Sequence, residues 1–224
     1  FDIDISVYNN EFYTSHTFSI DKLEYLIEQL KEFNEKSGDL YILKIIHRYN
    51  ITSEKIIELE KIFNTEFKNR IIYPHNYSEP LNIEISKFKQ DGKNMLIYME
   101  NTNHKFYQTK YTLYSDWPNK QNSKECYDYN KLKLYNEFNV LRNHRNDIFI
   151  DMNWTVTPTA KEIILGLLCC CCCYPLTLEI WVNKFNDKLN DFINKYNKQL
   201  LIINSISLDF ITQEIIDNII DINN

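Results

Sequence analysis

The chain has 224 residues, 44% hydrophobic and 25% charged, with 31 acidic against 25 basic side chains and a formal net charge of −6. That balance belongs to a folded globular protein and argues against disorder over most of the chain. The acidic excess weighs against a nucleic-acid binder, which draws most of its affinity from a basic field on phosphates.

Glycine is scarce, at 3, and no G-x-G-x-x-G or G-x-x-x-x-G-K-[ST] loop that could cradle a phosphate occurs. Aromatic residues reach 14%, led by 16 Tyr and 13 Phe, which is enough for a substantial core. The abundance of Lys, Asn and Ile over Arg reads as the coding bias of an AT-rich genome and carries no functional information. The chain opens at Phe1 rather than Met, which points to a processed or partial product. No basic n-region followed by an apolar h-region opens it, so no signal peptide is expected.

In chain order, Ile3, Ile5 and Val7 alternate with polar residues and predict a half-buried strand, with a second strand over Glu11 to Phe18. Leu23, Leu26, Ile27, Leu30 and Phe33 recur at helical spacing, with Ser19 or Asp21 as the cap and Gly38 beyond the end. Leu40 to Ile46 predicts a buried strand. Thr52 or Ser53 opens a helix carrying Ile56, Ile57, Leu59, Phe63 and Phe67, and Arg70 to Tyr73 starts another strand.

From Leu81 to Trp117 the pattern predicts an antiparallel β-meander. Its clearest hairpin is at Asp91-Gly92, where Gly tolerates positive φ, and its third strand is His104 to Tyr114. The polar stretch 115–130 predicts a mobile loop.

The C-terminal part alternates more regularly. A short helix carries Leu134, Tyr135, Phe138 and Leu141, and a strand covers Asp147 to Thr157. A capping box at Thr159–Glu162 opens a helix that runs into Cys169–Cys173 and stops at Tyr174-Pro175. A strand over Leu176–Val182, a helix through Phe185, Leu189, Phe192, Ile193 and Tyr196, a strand over Leu200–Asn204 and a helix over Thr212–Ile222 complete it.

The fold class is therefore α+β or α/β: a mixed sheet with a central antiparallel β-meander and a C-terminal β-α-β-α-β-α segment. With no repeat and no Pro- or Ser-rich linker, a single domain over 1–224 is expected. The polar loop 115–130 is the place where it would divide into 1–117 and 129–224.

Three features could carry chemistry. The cysteine run is unusual, but successive helical side chains turn by about 100°, so five cysteines cannot converge on one ion. Buried, reduced thiols in a reducing compartment are expected. The Arg142-Asn143-His144-Arg145 segment could grip phosphate or carboxylate. Asp147 and Asp151 would share a strand face about 13 Å apart, too far for one ion. Asp151 and Asn153 lie about 7 Å apart on that face, close enough for joint contact with a ligand. The histidines form no metal or catalytic motif, and no nucleophile elbow is present.

Two functions are consistent with this. The first is a non-enzymatic intracellular protein-interaction domain, such as an inhibitor, an immunity-type partner or an assembly subunit, with Tyr107, Tyr111 and Tyr114 at the interface. The second is an α/β enzyme or small-ligand-binding domain, with its site at the C-terminal strand ends and Arg145, Asp151 and Asn153 as ligand-binding residues. A cytoplasmic location, a protein partner, no nucleic acid, no membrane, no metal and no cofactor are expected.

Overall fold

The computed structural model describes residues 1–16, 18–73, 91–100, 106–108, 113–145, 148–155, 157, 178–208 and 213–222. They form two compact units, Phe1–Leu113 and Tyr114–Asn224. Helices accompany one mixed sheet and one further sheet, so the α+β or α/β class holds.

Unit 1 begins with β1 (Asp2–Tyr8), β2 (Glu11–His16) and β3 (Phe18–Lys22), then α1 (Leu23–Lys36), β4 (Tyr41–Tyr49), α2 (Ser53–Phe67), β5 (Met95–Met99) and β6 (Tyr107–Gln108). The sheet order is β3-β2-β1-β4-β5-β6. β1 and β2 are antiparallel, joined through Asn9 and Asn10, both at positive φ. Asn tolerates that region better than other side chains, which makes the tight return affordable. β1, β4, β5 and β6 run parallel.

The odd residues of β4 (Tyr41, Leu43, Ile45) and of β5 (Met95, Ile97, Met99) meet Leu23, Ile27 and Leu30 of α1 and Leu59, Phe63 and Phe67 of α2 in one core. Each fully buried aliphatic or aromatic side chain here contributes about 1.5–3 kcal/mol by leaving water.

Four sequence expectations change in this unit. α1 has no side-chain cap, because residues 18–22 are extended in β3 against β2 and the chain passes straight from strand into helix at Lys22. Ile57 is exposed on α2 rather than in the core. Arg70–Tyr73 contributes a single bridge, Ile71 to Met95. Asp91-Gly92 is a turn with Gly92 at φ +68°, but β5 and β6 pair in parallel, where a meander requires antiparallel neighbours. The partner strand expected over Leu81–Lys89 lies outside the described residues.

Unit 2 carries β7 (Leu113–Asp116), α3 (Ser123–Lys133), a π-helical segment (Leu134–Phe138), α4 (Asn139–His144), β8 (Phe149–Asn153), α5 (Leu178–Leu200), β9 (Ser205–Ser207) and α6 (Gln213–Ile222). Its sheet order is β7-β8-β9, with β8 and β9 parallel. Ile150 and Met152 of β8 and Trp154 just beyond it share a core with Leu134, Phe138, Leu189, Phe192 and Tyr196.

The stretch 115–130, expected as a loop, ends β7 and forms most of α3, which is capped by Asn122 accepting from the Glu125 amide at 3.0 Å. Of the strand expected over Leu176–Val182, the described residues 178–182 are the first part of the long α5, which bends at Tyr196. The strand expected at Leu200–Asn204 instead starts at Ser205, because Leu200 still belongs to the helix. The helix through Cys169–Cys173 lies outside the described residues. Among the described residues no helix is long and apolar enough to cross a membrane.

Candidate functional site

β8 is buried on both faces, and the faces differ. Ile150 and Met152 meet the helices, while Asp151 and Asn153 on the other face are 1% and 8% exposed. Burying a carboxylate and an amide away from water costs several kcal/mol unless hydrogen bonds replace the lost solvation.

The neighbouring strands supply those bonds. In the parallel register Asp151 stands beside Ser205, and Asn153 beside Ser207. The Ser205 hydroxyl donates to Asp151 Oδ1, and the Ser207 hydroxyl lies 2.9 Å from each carboxylate oxygen. From β7 on the other side, the Ser115 hydroxyl donates to Asp151 Oδ2 at 2.9 Å and accepts from Asn153 Nδ2 at 2.8 Å. Five polar side chains thus converge on one face of a three-stranded sheet. The three serines are half-buried and lie around a fully buried carboxylate.

The framework around this face is held by further polar contacts. Asn130 of α3 donates to the Asn153 carbonyl at 3.0 Å and ties the helix to the end of β8. Cys126, one turn earlier, is fully buried, and burial pushes its thiol up to about 12. Arg142 donates to the carbonyls of Ile202 and Ile148 and to Asn204 Oδ1, which in turn accepts from the Ile150 amide. It therefore staples the entry of β8 to the entry of β9 and is a structural guanidinium.

On the opposite side of β7 from Ser115, Lys133 makes ion pairs with Asp116 at 2.6 Å and Glu137 at 2.7 Å and donates to the Tyr114 hydroxyl at 3.2 Å. Burial alone would lower the Lys133 ammonium, but the bonds to Asp116, Glu137 and Tyr114 outweigh it and hold it well above the usual lysine range. Burial and the Asp116 hydrogen bond push Tyr129 up to about 12.

Of the residues singled out from sequence, Asp151 and Asn153 stand side by side and share Ser115. Arg145 does not join them. It is exposed, caps the C-terminus of α4 and lies before β8, at the end of the strand away from Asn153. Tyr107 is 3% exposed on β6 with its ring against Tyr98. Tyr114 is half-buried, and its hydroxyl is taken up by Glu137 and Lys133. Tyr111 and Asp147 lie outside the described residues.

Sequence reasoning missed Ser115, Ser205 and Ser207. Ser205-Ile206-Ser207 repeats the polar-apolar-polar alternation of Asp151-Met152-Asn153, which marks a strand with a polar face but not which residues stand beside Asp151.

Elsewhere, unit 1 has an open surface cleft of about 480 Å³, lined by charged residues whose lysines, Lys22 and Lys31, are paired with Glu11 and Glu66. His144 is exposed at the end of α4. Among the described residues no group of three or more His, Cys, Asp or Glu side chains is placed to hold a metal ion.

The chain is thus an α/β protein in which a sheet face carries a buried carboxylate ringed by hydroxyls. Its fold is similar to that of the phosphatidylinositol-specific phospholipase C from Listeria monocytogenes, with a TM-score of 0.65, 16% identity, and coverage of 100% of this chain and 78% of that one. No family model and no curated protein matches the sequence. The expectation of a non-enzymatic interaction domain is corrected by this likeness, since the shared fold is one that an enzyme uses. The enzyme or ligand-binding alternative fits better.

Proposed function

We propose that the chain is an α/β enzyme of phospholipase C type, acting on a lipid with a phosphorylated polyol headgroup at the polar face of β7, β8 and β9. The observation that carries the reading is Asp151, a fully buried carboxylate hydrogen-bonded by serine hydroxyls from both flanking strands. The fold likeness to a phosphatidylinositol-specific phospholipase C supports the substrate class.

Such a reaction adds water across the phosphodiester bond on the glycerol side: the water oxygen bonds to phosphorus, the bond from phosphorus to the glycerol oxygen breaks, and that oxygen takes up a proton, giving diacylglycerol and the phosphorylated headgroup. Asp151 accepts a hydroxyl of the headgroup in place of one serine, Asn153 donates to a headgroup oxygen, and the serines re-orient because a hydroxyl can donate or accept. The strands fix these groups before the substrate arrives, which removes part of the entropic cost of orientation.

The test is turnover of phosphatidylinositol in mixed vesicles by the purified chain, with release of phosphorylated inositol measured and phosphatidylcholine as the control. The wild type is expected to cleave the first and spare the second. Asp151→Asn, nearly isosteric, is expected to lower turnover by roughly 100-fold, with the circular dichroism spectrum unchanged. Equal turnover of both lipids would remove the polyol assignment. Full activity in Asp151→Asn would remove the site. Binding of inositol phosphate without turnover would make the chain a ligand-binding domain on the same face.

A further inference from the structure

β7 connects two polar clusters through alternate side chains. Ser115 faces Asp151 and Asn153. Tyr114 and Asp116, its neighbours on either side, face the helices, as alternation along a strand requires. Both outward residues end on the same ammonium group. Lys133 Nζ lies 2.6 Å from Asp116 Oδ2 and 3.2 Å from the Tyr114 hydroxyl.

We infer that Lys133 is a positioning residue for the Asp151 site, holding the two residues that flank Ser115 and so fixing where the Ser115 hydroxyl meets Asp151 and Asn153. The inference rests on the reading that this polar face is the site.

Several details of the cluster favour a clamp over a casual surface pair. The Lys133 side chain is only 15% exposed, and its charge lies over the rings of both Tyr129 and Tyr114. Each carboxylate has a second donor: Tyr129 donates to Asp116 Oδ2 at 2.5 Å, and Tyr114 to Glu137 Oε2 at 2.5 Å. Every member has at least two partners, and closed networks of this kind hold geometry more firmly than isolated pairs.

Lys133 is also the last residue of α3, where the helix widens into the π-helical segment that carries Glu137. Such widened turns are frequent at functional sites. The Lys133–Glu137 bond spans the start of this one. The hydrogen bonds that raise the Lys133 ammonium and lower the Asp116 and Glu137 carboxylates agree with an ionised, fully engaged cluster.

The experiment follows the Asn153 side-chain amide by hydrogen exchange, read by NMR, in the wild type, Lys133→Gln and Lys133→Arg. That amide donates to Ser115, so its protection reports the position of β7 whether or not the chain turns over lipid. Lys133→Gln is expected to speed exchange at least tenfold, with backbone amides of the α5 core unchanged. Lys133→Arg is expected to restore most of the protection. Glu137→Gln, a milder change that keeps a hydrogen-bond acceptor, should move it by a smaller factor in the same direction and stands in should Lys133→Gln fail to fold.

On phosphatidylinositol, Lys133→Gln is expected to lower kcat with KM within about twofold. Unchanged Asn153 exchange in a folded Lys133→Gln or Glu137→Gln protein would overturn the inference. A wild type inactive on lipid would count against the proposed function alone.

Discussion

The Ser207 hydroxyl lies 2.9 Å from both carboxylate oxygens of Asp151, so a single O–H is shared across the edge of the carboxylate. Ser115 and Ser205 each take one oxygen. Removing one donor from such a set differs from removing the acceptor. Ser207→Ala leaves both oxygens bonded and is expected to cost about 1.5 kcal/mol, the low end of the net worth of one hydrogen bond to a charged group. Asp151→Ala deprives three hydroxyls and the Asn153 network of their centre and is expected to cost about 3 kcal/mol or more. Urea unfolding with an unchanged m-value measures both. A smaller loss for Asp151→Ala than for Ser207→Ala would show that the carboxylate is not the hub.

The pair Asp151 and Asn153 could be seen in the sequence because an i, i+2 relation on a strand is local. Their serine partners could not, because which residues stand beside Asp151 is decided by the register of β9 and the placement of β7, and no local pattern encodes either. The same limit explains the C-terminal elements. Leu178–Val182 is short and apolar, and such a run satisfies a buried strand and a buried helix equally well. Its fate as the start of α5 was decided by the core that Leu189, Phe192 and Tyr196 build farther along. The strands and helices of 1–67 were easier, since β1, α1 and α2 each have a clean period and one apolar face. The parallel pairing of β5 with β6 was not legible, because a turn signal at Asp91-Gly92 speaks only for the residues beside it.

Each unit has its own core, so core truncations should act on the unit that holds them. Phe63 in unit 1 and Phe192 in unit 2 are both fully buried. Phe63→Ala and Phe192→Ala are each expected to cost about 3–5 kcal/mol, through lost transfer energy plus the cavity left behind. Hydrogen exchange resolved by unit should show the first loosening β4 and β5 and the second loosening α3 and β8. Equal loosening of both units by either change would contradict two separate cores.

Alkali should weaken unit 2. Burial raises the Cys126 thiol from its ordinary 9.0 to about 12, and burial with the Asp116 bond raises Tyr129 from 10.0 to about 12. Both groups are neutral when protonated. The unfolded chain releases these protons near pH 9 and 10, while the folded chain keeps them until about 12. The stabilisation is therefore complete below pH 9 and is lost progressively as pH rises to about 12. Thermal unfolding between pH 8 and 11 should show a falling Tm, and Cys126→Ser should change the slope of that fall. Alkylation followed by peptide mapping should leave Cys126 unmodified at pH 8, because neither the thiolate nor access is available.

Gly38 and Gly92 test backbone conformation apart from packing. Both sit at positive φ, +62° and +68°, and a Cβ added at either would meet nothing within 4 Å. The cost of Gly→Ala there is purely conformational, expected at about 1 kcal/mol, since the left-handed region disfavours a Cβ through its own backbone rather than through neighbours. Gly38 follows the end of α1, and Gly92 leads into β5. Asn should rescue part of the loss at both positions, because its side chain tolerates that region, as Asn9 and Asn10 already do between β1 and β2. Gly92→Ala and Gly92→Asn, compared by urea unfolding, separate the two contributions. A loss for Asn as large as that for Ala would mean that steric crowding, and not φ, sets the requirement for glycine.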